Sequence, residues 1–172
     1  IYLHNSSLTK ILSTTITTSG GLSDGIRGAF LKSTNVSSTT IKTLGALSNG
    51  IYLYSSNHSL INNTNVTTTD YFSTGLYITD SADVRLYNIT STILGAYAYG
   101  IFLSSIYNST IEEAKVNVNG ISAASGIYIT SSRSLNISAD LTIVGSIDAI
   151  SSYDSENIII YNTSILVSGD YA

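Results

Sequence analysis

The sequence predicts an all-β fold, a right-handed single-stranded parallel β-helix of about seven coils. Glycine recurs at positions 25, 50, 75, 100 and 126. Between these glycines, apolar residues mostly stand two positions apart, which is the period of a β-strand. β-Branched residues and tyrosine favour pleated surfaces, and the Ala-, Glu- and Leu-rich stretches typical of helices are lacking. Strands that repeat at a fixed period without helices indicate a solenoid.

The glycine spacing divides the chain into seven units of 23 to 26 residues, which we number as coils one to seven. Their boundaries are 1–24, 25–49, 50–74, 75–99, 100–125, 126–148 and 149–172. The unit from Gly50 to Thr74 reads GIYLYSSNHSLINNTNVTTTDYFST. We expect residues 1–172 to form a single β-helix domain. Because the chain starts and stops in phase with the coil, we expect it to be a segment of a longer chain or a filament or layer subunit.

Each coil is expected to contain about three short strands, and the first begins after the leading glycine. Its first inward column contains Ile1, Ile26, Ile51, Leu76, Ile101, Ile127 and Ile150. The next residue along each coil lies between two core columns and should point outward. Five members of that outward column are candidates for binding sugar rings or a partner: Tyr2, Tyr52, Tyr77, Phe102 and Tyr128. The alternative is cross-strand stacking that only stiffens the sheet.

The second and third strands supply further core columns, which match from coil to coil without gaps. The second-strand column contains Ile11, Val36, Ile61, Leu86, Ile111, Ile137 and Ile160. The third-strand column contains Ile16, Ile41, Val66, Ser91, Val116, Thr142 and Ile165. Polar columns through Ser56 and Asn63 are expected to form inward ladders at the bends.

Bends after the third strand carry a second glycine series, at positions 20, 45, 95, 120, 145 and 169. Both glycine series predict a positive φ or a close backbone approach. Asp70 replaces glycine in this series, so its bend is expected to be the most irregular one. An apolar line at the same bends is expected to tuck under them or to be covered by a neighbouring chain: Leu22, Leu47, Phe72, Tyr97, Ile147 and Tyr171.

A single coil of this kind cannot bury its own apolar face, whereas stacked coils form a continuous core. The general chirality of parallel crossovers favours a right-handed wind. The segments GIYLYSSNHSLINNTNV, GLYITDSADVRLYNIT and GIYITSSRSLNISADLTI resemble the β-helix repeats of the pectate-lyase-like superfamily. They are most similar in style to long repeats of prokaryotic surface proteins, including adhesin-like proteins of methanogenic archaea. The resemblance covers all seven coils and implies the fold, which hosts lyases, hydrolases, epimerases, tailspikes and adhesins.

Composition argues against several classes of partner. Only 10% of residues are charged, against roughly 25% in an average soluble domain. The formal net charge of -4 disfavours nucleic acid and anionic membranes as partners. No apolar run approaches the roughly 18 residues that span a bilayer, so we expect no membrane insertion within this segment.

No catalytic residue, metal site or cofactor site is predicted. Polysaccharide hydrolysis needs carboxylates that converge on one face, whereas the acidic residues here scatter around the rod by column. The densest group is Asp80, Asp83 and Arg85 on coil four. His4 and His58 lack companion ligands and are expected at the surface. We therefore expect that the chain is not an enzyme, with a polysaccharide lyase or glycoside hydrolase as the alternative.

Sequons of the Asn-x-Ser/Thr type are frequent, which suits a glycosylated cell-surface protein. The candidate acceptors are Asn5, Asn35, Asn57, Asn62, Asn65, Asn108 and Asn136. Asn88 and Asn162 also begin sequons but belong to the expected inward ladder.

The main functional interpretation is an extracellular structural or adhesive segment of a cell-surface, S-layer-like or filament-forming protein that acts as a stiff scaffold. The alternative is a polysaccharide-binding or polysaccharide-degrading β-helix module. Expected partners are coils of the same chain or of identical subunits stacked at both ends, together with cell-surface glycans. The resemblance also suggests an archaeal source.

Overall fold

The computed structural model of this chain is a parallel β-helix. It describes residues 1–119, 125–144 and 148–168. Every pair of adjacent strands in this part of the chain is parallel, and each strand pairs with its counterpart one coil away. The described residues contain no helix, and so none that is long and apolar enough to cross a membrane. The predicted fold class is therefore confirmed.

The strands follow one another in the predicted coil order. They are β1 (Tyr2–His4), β2 (Lys10–Leu12), β3 (Thr15–Thr18), β4 (Ile26–Ala29), β5 (Asn35–Ser37), β6 (Thr40–Thr43), β7 (Ile51–Tyr54), β8 (Leu60–Thr68), β9 (Leu76–Thr79), β10 (Arg85–Ile93), β11 (Tyr99–Ser104), β12 (Tyr107–Asn119), β13 (Ser125–Thr130), β14 (Arg133–Val144), β15 (Asp148–Tyr153), β16 (Glu156–Ile160) and β17 (Ser164–Ser168).

Two sheets form the walls of the rod. The first sheet has the order β1-β4-β7-β9-β11-β13-β15, with one strand from each coil. The second has the order β2-β5-β8-β10-β12-β14-β16, and β3, β6 and β17 pair along its other edge. In coils three to six, the predicted second and third strands are joined into one long strand, because the ladder continues through the bend between them.

The predicted core columns are buried in the middle coils. Ile51, Leu76, Ile101 and Ile127 have no exposed surface and are paired in register on successive coils. Alternation continues along the second sheet, where Val116 and Val118 are buried and Lys115 and Asn117 are exposed. A continuous apolar column is therefore the main source of stability, since each fully buried aliphatic side chain contributes about 1.5–3 kcal/mol.

The serine ladder is confirmed as an inward feature. Ser56 and Ser81 are fully buried, and the backbone N–H of Ser56 donates to Ser81 Oγ at 2.8 Å. Each hydroxyl also donates within its own coil, Ser56 Oγ to Tyr54 O and Ser81 Oγ to Thr79 O. These bonds satisfy buried backbone donors at a corner where the strand ladder is interrupted.

The asparagine column was expected to face inward, and that prediction is wrong. Asn63, Asn88 and Asn162 are exposed at the bend between the second and third strands. Their φ values are 46°, 49° and 44°, in the left-handed region that asparagine tolerates better than most residues. The left-handed bend turns the side chain to the outside, where Asn88 Nδ2 donates to Asn63 Oδ1 at 2.7 Å.

The bend at Asp70 is regular, contrary to prediction. Phe72 has a φ of 55°, close to the 56° of Leu47 and 55° of Tyr97 at the same bend of adjacent coils. Its backbone N–H donates to Ala96 O at 3.0 Å, the same bond that Leu47 makes to Tyr71. Backbone hydrogen bonds between adjacent coils therefore determine the conformation of this bend, even where aspartate replaces glycine.

The gap-free alignment of the third strand fails in coil six. Val116 pairs with Leu141, and the register shifts between Ile111 and Ala114. Leu141 is buried and Thr142 is exposed, so Thr142 does not belong to the predicted core column. Coil six has one residue fewer at its bend than the coils on either side, and this moves every later residue by one position.

Candidate functional site at the shortened bend of coil six

The bend between the second and third strands is the same in six coils and different in one. In those six coils, one residue has a positive φ between 44° and 53°: Ser13, Ser38, Asn63, Asn88, Glu113 and Asn162. In coil six, Ile137 and Asp140 are separated by only Ser138 and Ala139, and neither has a positive φ. The row of outward bend residues is therefore interrupted at coil six.

This interruption leaves a cavity of about 360 Å³, which we name the notch. Its lining residues come from coils four to seven and are Asn88, Glu113, Ala114, Lys115, Ser138, Ala139, Asp140 and Asn162. Most of these side chains are polar. β-Bulges and register shifts of this kind occur preferentially beside functional sites, because they re-aim neighbouring side chains.

Three charged groups surround the notch. Lys115 and Asp140 are paired in register on adjacent strands, and Glu113 precedes Lys115 by two residues. All three side chains are exposed. Within the described ranges, none of them forms an ion pair. Two carboxylates and one ammonium group are therefore available to a ligand.

Tyr87 adds a fourth group at the edge of the notch. A hydrogen bond to the Glu113 carboxylate, followed by the charges of Glu113 and Glu112, raises the pKa of the Tyr87 hydroxyl. The Tyr87 hydroxyl thus lies beside the Glu113 carboxylate.

The notch opens onto the outer face of the third strands. The exposed or half-exposed residues of that face are Thr15, Thr17, Thr40, Lys42, Asn65, Thr67, Thr90, Thr92, Lys115, Asn117, Asp140 and Thr142. Hydroxyl and amide groups dominate this row, which runs the length of the rod. It offers alternating donors and acceptors at the spacing of the coils, about 4.8 Å.

The predicted outward aromatic column forms a second surface, on the first sheet. Tyr52, Tyr77, Phe102 and Tyr128 stack with centroid distances of 5.2, 4.4 and 5.4 Å and interplanar angles of 16° or less. We name these four residues the aromatic stack. Their ring faces cover one another, so mainly ring edges face solvent. Ligand binding by this column stays a prediction.

Tyr2 does not belong to the aromatic stack. It lies beside His4, with 68% of its surface exposed, and Arg27 occupies its column on the next coil. The Arg27 guanidinium covers the outer face of Tyr52 at 4.7 Å from the ring centroid. Tyr99 packs against the edge of the stack, and burial raises the pKa values of Tyr77 and Tyr99.

Two further pairs of ionisable groups make local contacts away from the notch. His58 Nε2 lies 3.3 Å from Asp83, which also accepts a hydrogen bond from Asn108. Arg133 and Glu156 form an exposed ion pair, at 3.4 Å. In the described part of the chain, no three His, Cys, Asp or Glu residues are grouped as metal ligands.

Asp24, which directly precedes Gly25, is a partly buried carboxylate. It accepts hydrogen bonds from the backbone and side-chain nitrogens of Asn49 at 2.7 and 3.1 Å and lies 3.5 Å from Arg27. Burial is the largest influence and raises the pKa of Asp24, although these partners oppose the shift. Its hydrogen bonds to the next coil identify it as a structural group.

The candidate glycan acceptors differ in accessibility. Exposed members are Asn5, Asn65, Asn108 and Asn136, and half-buried members are Asn35, Asn57 and Asn62. The side-chain oxygen of Asn57 accepts a hydrogen bond from the Ala82 backbone at 2.8 Å. Glycan occupancy stays a prediction for all seven positions.

Sequence reasoning missed the notch because the alignment assumed coils of equal internal spacing. By column, Glu113 and Asp140 belong to different positions of the repeat. Both nevertheless line the notch, where Asp140 pairs with Lys115. A signal was present in the lengths, since coil five has 26 residues and coil six has 23.

Comparison with protein-family models and with curated proteins gives no match. Among solved structures, a double mutant of the periplasmic alginate epimerase AlgG is 14% identical with a TM-score of 0.54. A single mutant of AlgG is 14% identical with a TM-score of 0.52. Each alignment covers 96% of this chain and 47% of the AlgG chain. A candidate glycosyl hydrolase from Parabacteroides merdae is 11% identical over 92% of this chain and 77% of that chain, with a TM-score of 0.47.

This chain thus spans about half the length of the AlgG structures, and its likeness to the pectate-lyase-like β-helix is confirmed for the fold. The prediction that the chain is not an enzyme is wrong. Two structures that share its fold with TM-scores above 0.5 are those of an alginate epimerase. The scatter of acidic residues on which that prediction depended has an exception, because Glu113 and Asp140 of adjacent coils line one cavity.

Proposed function

We propose that this chain binds a polysaccharide along the outer face of its third strands and cleaves a glycosidic bond at the notch. The observation that carries the proposal is the arrangement of Glu113, Lys115 and Asp140 around a polar cavity of about 360 Å³. Small-molecule sites have volumes of about 300–1,000 Å³, so the notch suits one or two sugar rings. Hydroxyl and amide groups on the adjoining face suit the hydroxyls of neighbouring sugars.

Glycosidic cleavage needs two carboxyl groups with different roles. One donates a proton to the leaving oxygen, and the other activates water or attacks the anomeric carbon. In the proposed assignment Glu113, which lies beside the Tyr87 hydroxyl, is the base or nucleophile. Asp140 is the acid, and Lys115 holds a sugar oxygen between them.

The similar structures support a polysaccharide as the ligand. AlgG acts on alginate, itself a polysaccharide, and is periplasmic. A location outside the cytoplasm is accordingly part of this proposal. The shared fold supports the class of ligand, and the notch supports the reaction.

A polysaccharide panel that includes alginate, pectin and β-glucan tests the proposal. We expect one polysaccharide to bind and to release reducing ends, and Glu113→Gln and Asp140→Asn to lower the cleavage rate by about 100-fold or more. Binding, measured by calorimetry, should change by less than about 10-fold in these variants.

Glu156→Gln is the matched control, because Glu156 is an exposed glutamate that pairs with Arg133 away from the notch. Its cleavage rate should equal that of the unmodified chain. Absence of binding to any polysaccharide, or equal rates in the notch variants and the control, would overturn the proposal.

A structural or adhesive role is the second candidate, and one observation favours it. Leu22, Leu47, Phe72 and Tyr97 form a line of exposed apolar side chains, which we name the apolar ridge. All four have φ values of 55° to 60°, a region that bulky residues rarely adopt. Exposure at such positions suits contact with a cell-surface partner or a second copy. The role is compatible with chemistry at the notch.

A further inference from the structure

The aromatic stack ends one coil before the first sheet ends. One face of Tyr128 packs against Phe102 with an interplanar angle of 7°, so its other face is directed toward coil seven. The residue paired with Tyr128 on coil seven is Ser151. Among the described residues, no aromatic ring lies over that second face. Serine therefore leaves room where the next ring of the column would stand.

Polar groups stand beside this open ring face. Ser151 Oγ donates to Asp148 Oδ2 at 2.6 Å. Asp148 is exposed and Ser151 is half-buried, so both groups can be reached from solvent. An ionised carboxylate has about four acceptor positions, and a single hydrogen bond leaves most of them free. The position thus combines an apolar ring face with a carboxylate and a hydroxyl group.

We propose that the space over Tyr128 binds one neutral pyranose ring, which continues the aromatic stack on coil seven. The C–H face of a pyranose is attracted by the negative face of an aromatic ring. Spacings of 4.4 to 5.4 Å within the stack show how closely successive planar groups pack on this sheet. Sugar hydroxyls would donate to the free acceptor positions of Asp148 and to Ser151 Oγ.

Charge selects a neutral sugar over an acidic one at this position. Asp148 is the first residue of β15, Asp154 stands on coil seven, and Glu156 is already paired with Arg133. A uronate would therefore meet uncompensated negative charge. The subsite lies on the first sheet and the notch on the second, so the inference goes beyond the proposed function. It shares only the class of ligand.

Titration with cellotetraose tests the inference by NMR of a tyrosine-labelled chain, with the Tyr128 signals assigned from Tyr128→Phe. We expect a saturable shift of the Tyr128 ring signals. Ser151→Tyr should place a ring in the open position and weaken binding at least 10-fold, while Ser151→Ala should weaken it by less than about 3-fold. Circular dichroism and thermal unfolding check that each variant is folded.

Two results would overturn the inference: no saturable shift at Tyr128, or equal binding by Ser151→Tyr and the unmodified chain. Oligomannuronate should bind at least 10-fold more weakly than cellotetraose, and tighter binding would contradict the neutral-sugar assignment. Glu113→Gln should leave the Tyr128 shift unchanged. If the notch variants and their control cleave at equal rates while the Tyr128 signals still shift, only the proposed function is rejected. If cleavage depends on the notch but the Tyr128 signals do not shift, only the inference is rejected.

Discussion

Glycine and left-handed residues have separate roles at the corners of this rod. The leading glycines are needed for space, because a Cβ on Gly50 would meet Val66 and lie 2.7 Å from Gly75 O. Positive φ values belong to other residues, chiefly Ser, Asn and Asp. Of the two reasons predicted for the glycine series, close approach is therefore the one that applies at Gly50.

Gly50→Ala should destabilise the chain by about 1–3 kcal/mol, the usual cost of overpacking a core. Val66 must move to admit the new methyl group, and the backbone oxygen of Gly75 cannot move without breaking its ladder. Urea unfolding followed by circular dichroism measures the change.

Gly21→Ala provides the control for Gly50→Ala. A Cβ on Gly21 would meet only Ala46 O, at the ordinary contact distance of 3.6 Å. Its effect should stay within about 0.5 kcal/mol. Equal losses in both variants would show that the two alanines act through the backbone alone.

At the scale of strands, coil six shows how much a single missing residue changes. Loss of the left-handed bend residue shifts the register of β14 and places Leu141 inside in place of Thr142. The residues themselves carried this information, because Ala139, Leu141 and Ile143 alternate with exposed neighbours. Counting from the leading glycine concealed it, since a count cannot detect a shortened bend.

Insertion of one asparagine between Ser138 and Ala139 should restore the bend of the other coils and fill the notch. We expect the fold to persist, with stability within about 1 kcal/mol of the original, because asparagine suits the left-handed conformation. Polysaccharide binding at the notch should weaken at least 10-fold. Thermal unfolding and calorimetry on one sample measure both quantities.

The same insertion between Asn88 and Ile89 is the control, because that bend already has its full length. It would displace Ile89 from a position that is 1% exposed, so a loss of about 2 kcal/mol or more is expected. If the coil-six insertion were equally destabilising, or left binding unchanged, the shortened bend would not be the origin of the site.

Over the whole molecule, the repeat determined most of what could be predicted. The parallel sheets and the buried columns through Ile51 and Ile61 follow from residue types that recur from coil to coil, and the serine ladder from residues that recur on most coils. The notch and the end of the aromatic stack arise where one coil differs from its neighbours. Periodic patterns predict periodic features, and these two places depend on single exceptions at coil six and at Ser151.

The apolar ridge is the surface through which we expect copies of this chain to associate. Leu47 and Phe72 are about half exposed, so they do not tuck under the bend. Cover by a neighbouring chain, the other predicted outcome, stays a prediction. Ile147 and Tyr171 of the same line lie outside the described residues. We expect concentration-dependent association in light scattering, which Leu47→Asp combined with Phe72→Asp should abolish by adding charge to the contact surface.

Leu8→Asp is the control for the ridge variants. Leu8 also has a positive φ, of 56°, and is 77% exposed, but it belongs to a different bend. It should leave association unchanged. A chain that stays monomeric at high concentration, or ridge variants that associate like the control, would contradict a role of the ridge in self-association.

The shortened bend also marks one position along the rod as different from all others. A perfectly periodic rod would offer a long polymer the same groups on every coil. Such a polymer could slide by one coil, about 4.8 Å, without any change in free energy. Because coil six differs from the other coils, one alignment of the polymer on the rod differs in free energy from every alignment shifted along the rod. A bound polymer would then have one register, and the same bond would be presented to the same side chains at every encounter.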